Sequence, residues 1–206
     1  MPFEPGALDE LRERAKRQLR QSMRSLRAAY PEAQRAEKSR AVVERISALP
    51  EFTSARGVAL FWPLLERQEL DVRALDSAAR QAQKPVYYPC LDSHEDRLET
   101  GFRPVSATSE LVERGHRFAE PPPEAPRALR GEIDVLIVPA LAVASSGHRL
   151  GYGSGFYDAT LPDFCPPALS IVVAYDFQLL AELPVSAHDI ACDIVVTDAR
   201  LLRVVG

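Results

Sequence analysis

Ile133-Asp-Val-Leu-Ile-Val138 is the stretch on which the fold turns. It is apolar apart from Asp134 and β-branched at four of its six positions, too short for a helix and without polar alternation, so it reads as a strand covered on both faces. Ile171-Val-Val-Ala174 and Ile194-Val-Val-Thr197 repeat the pattern towards the C-terminus. Towards the N-terminus, Gly57-Val-Ala-Leu-Phe-Trp62 is a similar run stopped by Pro63. A helix from about Asp71 to Gln83 follows, then the strand Pro85-Val-Tyr-Tyr88, stopped by Pro89. Strand, helix and strand alternate, which predicts an α/β fold: an open, largely parallel sheet flanked by helices. Residues 90–130 are less regular, with short strands expected around Leu98–Phe102 and Arg117–Ala119 and a break at Pro121–Pro123, so one sheet edge is expected to be mixed. Ligands of such sheets sit outside the carboxyl ends of the strands.

Two helices precede the sheet. In residues 7–29, Leu8, Leu11, Ala15, Leu19, Met23 and Leu26 recur every three or four positions, predicting an amphipathic helix that packs beside the sheet and ends before Pro31. Residues 34–48 form the second, with Val42, Val43, Ile46 and Leu49 inward and Pro50 closing the pattern. The first helix carries seven basic residues against three acidic ones between Ala7 and Ala28. On a helical wheel Lys16, Arg20 and Arg27 lie roughly 60–100° from Leu19, at the margin of the expected buried stripe and within reach of a neighbouring cleft. A solvated basic face is the plain alternative; an RNA-binding face lacks the interleaved aromatics such surfaces use.

With 206 residues the chain is expected to form a single domain, residues 1–206. A 46% hydrophobic content supplies a core without disulfides or structural metal, and 25 Lys and Arg against 29 Asp and Glu leave a net charge of −4 that does not favour nucleic acid as a partner. Cys90, Cys165 and Cys192 are odd in number and far apart, as reduced thiols are. No apolar run is long enough to span a membrane and no secretory leader is evident, so a cytoplasmic monomer acting on small molecules is expected.

Four of the ten glycines, Gly147, Gly151, Gly153 and Gly155, fall within nine residues shortly after the strand that ends at Val138. Alternate glycines in Gly151-Tyr-Gly-Ser-Gly155 allow positive φ, close approach of a ligand and successive N–H groups turned to an anion. Phe156–Leu161 can then open a short helix before Pro162, whose dipole favours phosphate. Arg149 before the loop can fork onto phosphate oxygens and Asp158 after it can hold Mg²⁺, although Asp158 equally suits a helix start. The loop matches neither the P-loop nor the dinucleotide fingerprint.

The run Arg149-Leu-Gly-Tyr-Gly-Ser-Gly-Phe-Tyr-Asp158, preceded by Asp134-Val-Leu-Ile-Val-Pro-Ala-Leu-Ala142, resembles the signature of the 5-formyltetrahydrofolate cyclo-ligases, also called methenyltetrahydrofolate synthetases. Other parts stand in family order: Lys16-Arg-Gln-Leu-Arg20, Glu69-Leu-Asp71, Glu120-Pro121, Gln178, Leu183-Pro184 and His188-Asp189. The resemblance implies an ATP- and Mg²⁺-dependent closure of 5-formyltetrahydrofolate to 5,10-methenyltetrahydrofolate, with ADP and phosphate released, through phosphorylation of the formyl oxygen and attack by N10. It makes Lys16, Arg149 and Asp158 the catalytic set. Lys16, Arg20, Arg149, Leu150, Gly151, Tyr152, Gly153, Ser154, Gly155, Phe156 and Tyr157 become the ATP site, and Asp158 and Asp189 the Mg²⁺ carboxylates. Glu69 becomes the acid that recognises the pterin, with Tyr152, Phe156 and Trp62 beside the folate. For Trp62 and Glu69 the alternatives are a core aromatic and a helix-start acid.

The sequence departs from the family pattern at Ser154, where Gly or Lys is common, at Phe156 for Tyr, at Val72 for Thr, at Ala159 for Arg, and in a longer Pro63–Glu69 segment. These departures leave open a diverged relative that binds folate or nucleotide with little or no catalysis.

Overall fold

The structure is a computed structural model and describes residues 5–94, 97–114 and 118–204. It begins with helices α1 (Pro5–Ala29), α2 (Glu32–Ser47) and α3 (Pro50–Ser54), strand β1 (Val58–Ala59), a 3-10 turn at Leu65–Arg67, and helix α4 (Arg73–Gln81). The hairpin of β2 (Val86–His94) and β3 (Arg97–Pro104) follows, then β4 (Val112–Glu113) and β5 (Ala119–Glu120), β6 (Val135–Pro139), β7 (Ala142–Ala144) and β8 (Arg149–Leu150). The chain continues through α5 (Phe156–Phe164), β9 (Leu169–Val173), β10 (Leu179–Leu180), β11 (Ile194–Val196) and β12 (Leu201–Arg203). Of the strand expected near Arg117–Ala119, Arg117 lies outside the described residues, and β5 begins at Ala119.

Seven strands form the central sheet in the order β12-β11-β9-β6-β1-β2-β3. The five inner strands are parallel, while β12 and β3 are antiparallel at the two edges. The α/β architecture is as expected, and the sheet is mixed at both edges rather than one. β6 sits at its centre, pairing Val135 with Val58 on one side and Ile137 with Ile171 on the other. Its period of two divides the core. Val135 and Ile137 join Val42, Ile46 and Leu75 on the α2 and α4 face; Leu136 and Val138 join Phe102, Phe156 and Phe164 on the α5 face.

Two expectations about proline need correction and a third needs an addition. β2 does not stop at Pro89 but runs to His94, because beyond Tyr87 it pairs only with β3. Among the described residues the edge facing away from β3 pairs with no strand there, and the Leu91 N–H on it is taken by the Glu120 carboxylate at 2.8 Å; a residue without an N–H costs little at such an edge. Pro50 closes α2 yet also opens α3, at a first-turn position that needs no N–H. Pro162 lies inside α5, where burial of Leu161 and Phe164 on either side carries the helix past it.

A second sheet, β10-β7-β8, was not foreseen from the sequence. Its strands are two or three residues long, too short to show a period. It suspends the glycine loop: β8 leads directly into residues 151–155 and α5 follows.

The face α1 buries also differs from expectation. Lys16, Met23 and Arg27 are buried, with Leu19, Arg20 and Tyr30 half-buried around them, while Leu8, Leu11 and Leu26 are exposed. The buried set is spaced 16, 20, 23, 27, a sound helical stripe centred on cations rather than leucines. The helix is therefore rotated so that its basic margin becomes its inner face. On urea unfolding, Met23→Ala should lose about 2 kcal/mol or more, whereas Leu11→Ser should stay within about 0.5 kcal/mol of wild type. The opposite order would restore the leucine-centred face.

Candidate active site

The carboxyl ends of β1, β6 and β9, the glycine loop, the inner face of α1 and the segment 183–192 converge at one end of the sheet. Of the α1 cations on the inner face, Lys16 meets segment 183–192 and Arg20 and Arg27 meet the glycine loop. Lys16, 6% exposed, donates from Nζ to Asp189 Oδ2 at 2.7 Å and to Ser186 Oγ at 2.8 Å. Arg20 donates from Nε to the Gly151 carbonyl at 3.0 Å. Arg27, 2% exposed, donates from Nη2 to the Tyr152 hydroxyl at 2.5 Å.

In the loop, Gly153 has φ 104° and Gly155 φ 71°, conformations that L side chains rarely adopt, and Gly155 is the residue from which α5 starts. Gly151 does not have positive φ, so two of the three loop glycines are required by conformation. Gly153, Ser154 and Gly155 are exposed and stand at the N-terminus of α5, an anion-binding arrangement. The Arg20 guanidinium carbon is 3.5 Å from where a Gly153 Cβ would be, so a cation already borders this backbone. Ser154 Oγ accepts the Phe156 N–H at 3.4 Å and acts on the helix start.

The Arg149 side chain is buried and both of its Nη atoms have protein partners. It donates to the Ile190 carbonyl at 2.5 Å, to Cys192 Sγ at 3.8 Å and to Asp158 Oδ1 at 2.9 Å. The Ile190 N–H also donates to Asp158 Oδ1, at 3.1 Å. Arg149 and Asp158 thus brace the loop and α5 against segment 183–192, and Asp158 lies in the first turn of α5, where its charge also suits the helix dipole. Phe156 turns its ring into an aromatic cluster, with Phe102 and Phe118 at 6.1 Å and Tyr157 at 5.1 Å, and leaves its backbone N–H at the loop.

Both hydrogen bonds to Asp158 end on Oδ1 and both side-chain-anchoring bonds to Asp189 end on Oδ2, so each carboxylate has a second oxygen outside these bonds. Among the described residues no three His, Cys, Asp or Glu side chains gather as a protein-only metal site. Two carboxylates with an oxygen to spare fit Mg²⁺, which takes one or two protein carboxylates and completes its shell with phosphate oxygens and water.

Glu69 is held where the longer 63–69 segment closes on itself. The Leu65–Arg67 turn ends at Gln68 with φ 53°, after which Glu69 N–H reaches the Leu64 carbonyl at 3.3 Å and Leu64 N–H reaches Glu69 Oε2 at 2.8 Å. Burial pushes the Glu69 carboxyl above its ordinary range, against the opposing pull of the Leu64 N–H, the Tyr152 hydroxyl, Arg27 and Arg67. The turn also sets the Arg67 guanidinium over the Tyr152 ring, 5.6 Å from its centroid. Trp62 is half-buried, edge-on to Tyr88 at 6.2 Å and packed on the core, so the core reading describes its contacts. Val72 is buried at the start of α4. His188 is exposed.

Sequence reasoning passed over Ser186 and Arg67, and placed Arg27 within reach of a cleft without assigning it a ligand. Ser186 carries a local signal, three residues before Asp189, where its N–H donates to Asp189 Oδ2 at 2.7 Å. The signal for Arg27 was its shared face with Lys16 and Arg20.

Residues 12–198 match the model of the 5-formyltetrahydrofolate cyclo-ligase family. A protein of Mycolicibacterium smegmatis named 5-formyltetrahydrofolate cyclo-ligase is 37% identical over 199 residues, covering 91% of this chain and 95% of that protein. An Escherichia coli K12 protein of the same name is 35% identical over 179 residues, covering 85% and 95%. The solution structure of Aquifex aeolicus 5,10-methenyltetrahydrofolate synthetase is similar with a TM-score of 0.79 at 30% identity, over 92% of each chain. No helix among the described residues is long and apolar enough to cross a membrane.

The Lys16–Asp189 pair has a pH signature. Burial raises the Asp189 carboxyl, but the bonds from Lys16 and the Ser186 N–H and the charge of Lys16 outweigh it and leave the group below its ordinary value of 3.8. A carboxyl depressed on folding contributes stability that is present above its unfolded value and lost as pH falls through the folded one. Between about pH 5 and pH 2 the urea midpoint of the wild type should fall more steeply than that of Asp189→Asn; equal slopes would remove Asp189 from this role.

Proposed function

The chain belongs to the 5-formyltetrahydrofolate cyclo-ligase family and is an enzyme of that kind, and from this premise we propose that it closes 5-formyltetrahydrofolate to 5,10-methenyltetrahydrofolate using ATP and Mg²⁺. The observation that carries the reading is the junction of buried α1 cations with an exposed positive-φ glycine loop at a helix N-terminus. Few ligands other than a polyphosphate reward that combination of ammonium, guanidinium and aligned N–H groups.

In this reading the loop N–H groups from Gly153 to Gly155, with Lys16 and Arg20, hold the ATP phosphates. Arg149 does not face the nucleotide; it fixes Asp158, and its part in the catalytic set is positioning. Asp158 and Asp189 hold Mg²⁺ through their spare oxygens. When bound, the ion neutralises charge on the phosphates during transfer. The formyl oxygen attacks the γ-phosphorus and ADP leaves. N10 then adds to the activated formyl carbon and loses its proton, the carbon–oxygen bond breaks, and phosphate departs as the ring closes.

Lys16 must serve both Asp189 and the phosphate, and its partners keep the ammonium at the site before nucleotide arrives. Glu69 faces the amino group and ring N–H of the pterin from the far side of Tyr152. Burial of the surrounding walls excludes water, which would otherwise compete with N10 for the activated carbon.

The test is near-ultraviolet absorbance of methenyltetrahydrofolate on mixing protein with 5-formyltetrahydrofolate. Product should form only with ATP and Mg²⁺ together, and Lys16→Met, if folded, should lower kcat by roughly 10²-fold. Product without ATP, or none from folded wild type, would contradict the proposal.

A further inference from the structure

Arg27 holds a feature that the phosphate chemistry does not use. Its Nη2 is committed to Tyr152, but its Nε is buried with no hydrogen-bond partner. A buried donor left unpaired costs about 1–3 kcal/mol, so such a group beside an active site points to an acceptor supplied by a ligand. Arg27 borders a narrow void at the carboxyl ends of the central strands, lined also by Phe61, Glu69, Ala140, Val173 and Gln178.

The polar groups around that void are unequally committed. Gln178 is engaged at both ends, its carbonyl oxygen accepting the Tyr175 N–H at 3.0 Å and its amide donating to the Leu141 carbonyl at 2.7 Å. Glu69 has only Oε2 tied to the backbone, by Leu64, and otherwise faces the Tyr152 hydroxyl. What the void offers a ligand is therefore a carboxylate that accepts, next to a guanidinium N–H that donates. The complement is a flat ring edge with two donors followed by an acceptor. A 2-amino-4-oxo pteridine has that edge: the amino group, the ring N3–H and the 4-carbonyl. A 2,4-diamino ring keeps the 2-amino donor but carries a lone pair at N3, which repels the carboxylate, and turns an N–H towards Arg27, so it mismatches both groups.

We infer that Arg27 is a specificity residue of this enzyme, donating from Nε to the 4-oxo group of the pterin while Glu69 accepts from its 2-amino group and N3–H. This rests on the folate reading of the same site. Ring entry displaces the Tyr152 hydroxyl, which lies against both groups and is carried between Gly151 and Gly153. The apolar walls Phe61, Ala140 and Val173 suit a flat ring and give the polar pair its selectivity, because a mismatched hydrogen bond there has no water to replace it.

The test is equilibrium binding, without ATP, of 5-formyltetrahydrofolate and its 4-amino counterpart to the full chain, read by the fluorescence of Trp62, its single tryptophan. Wild type should prefer the 4-oxo compound by at least about tenfold. In Arg27→Met the preference should fall at least about threefold, chiefly through loss of 4-oxo affinity, the mismatch of N3 with Glu69 leaving a residual preference. Should the Met variant not fold, as judged by circular dichroism, Arg27→Lys keeps the charge without the Nε donor and should show the same fall. An unchanged ratio in a folded variant, or equal weakening of both compounds, would overturn the assignment. Glu69→Gln reads the premise separately: it should weaken both compounds, and unchanged 5-formyltetrahydrofolate binding there would mean that the pterin edge is not read at this site.

Discussion

The arrangement depends on one costly act, the burial of Lys16 and Arg27, with Arg20 between them, on the inner face of α1. A charge withdrawn from water without partners costs several kcal/mol, so each must be met, and the groups that meet them come from distant parts of the chain. Asp189 and Ser186 lie beyond residue 180, the Gly151 carbonyl and Tyr152 in the glycine loop, and Glu69 after β1. The N-terminal helix is thereby fixed to three loops that would otherwise be joined only through the sheet. In the proposed reading the same cations also face the phosphates and the pterin.

The sheet supplies position rather than chemistry. Its parallel strands end together, and the residues just past β1, β6 and β9 form the floor of the site. The small β10-β7-β8 sheet sets the glycine loop beside that floor, and the Arg149–Asp158–Ile190 brace ties loop, helix and segment 183–192 into one support. Arg149 acts here as an organiser. Both of its Nη atoms are held by protein groups, and in the proposed reading phosphate capture falls to Lys16 and Arg20.

Much of this was legible in the sequence, for identifiable reasons. The inner strands declared themselves because both of their faces are buried and their runs are uniformly apolar. The glycine loop was legible because positive φ at Gly153 and Gly155 excludes most other residues. The strands β10 and β12 were not, since two or three residues show no period, and β2 was cut short at Pro89 because tolerance of proline depends on an unpaired edge that only the fold reveals. The face of α1 was misjudged because leucine periodicity is normally the stronger signal. Here tertiary partners for the cations outweigh the transfer of Leu8, Leu11 and Leu26 from water. Glu69 was legible from family order, but the partnerless Nε of Arg27 is a property of packing and has no counterpart in the sequence.

The central claim is that the α1 cations and the glycine loop form one nucleotide site. Amide hydrogen exchange with and without Mg·ATP tests it most directly. The account predicts slowed exchange in both the loop around residues 151–158 and α1 around residues 16–27, with little change in the β2–β3 hairpin. Protection confined to the hairpin, or to the loop with α1 unaffected, would contradict it.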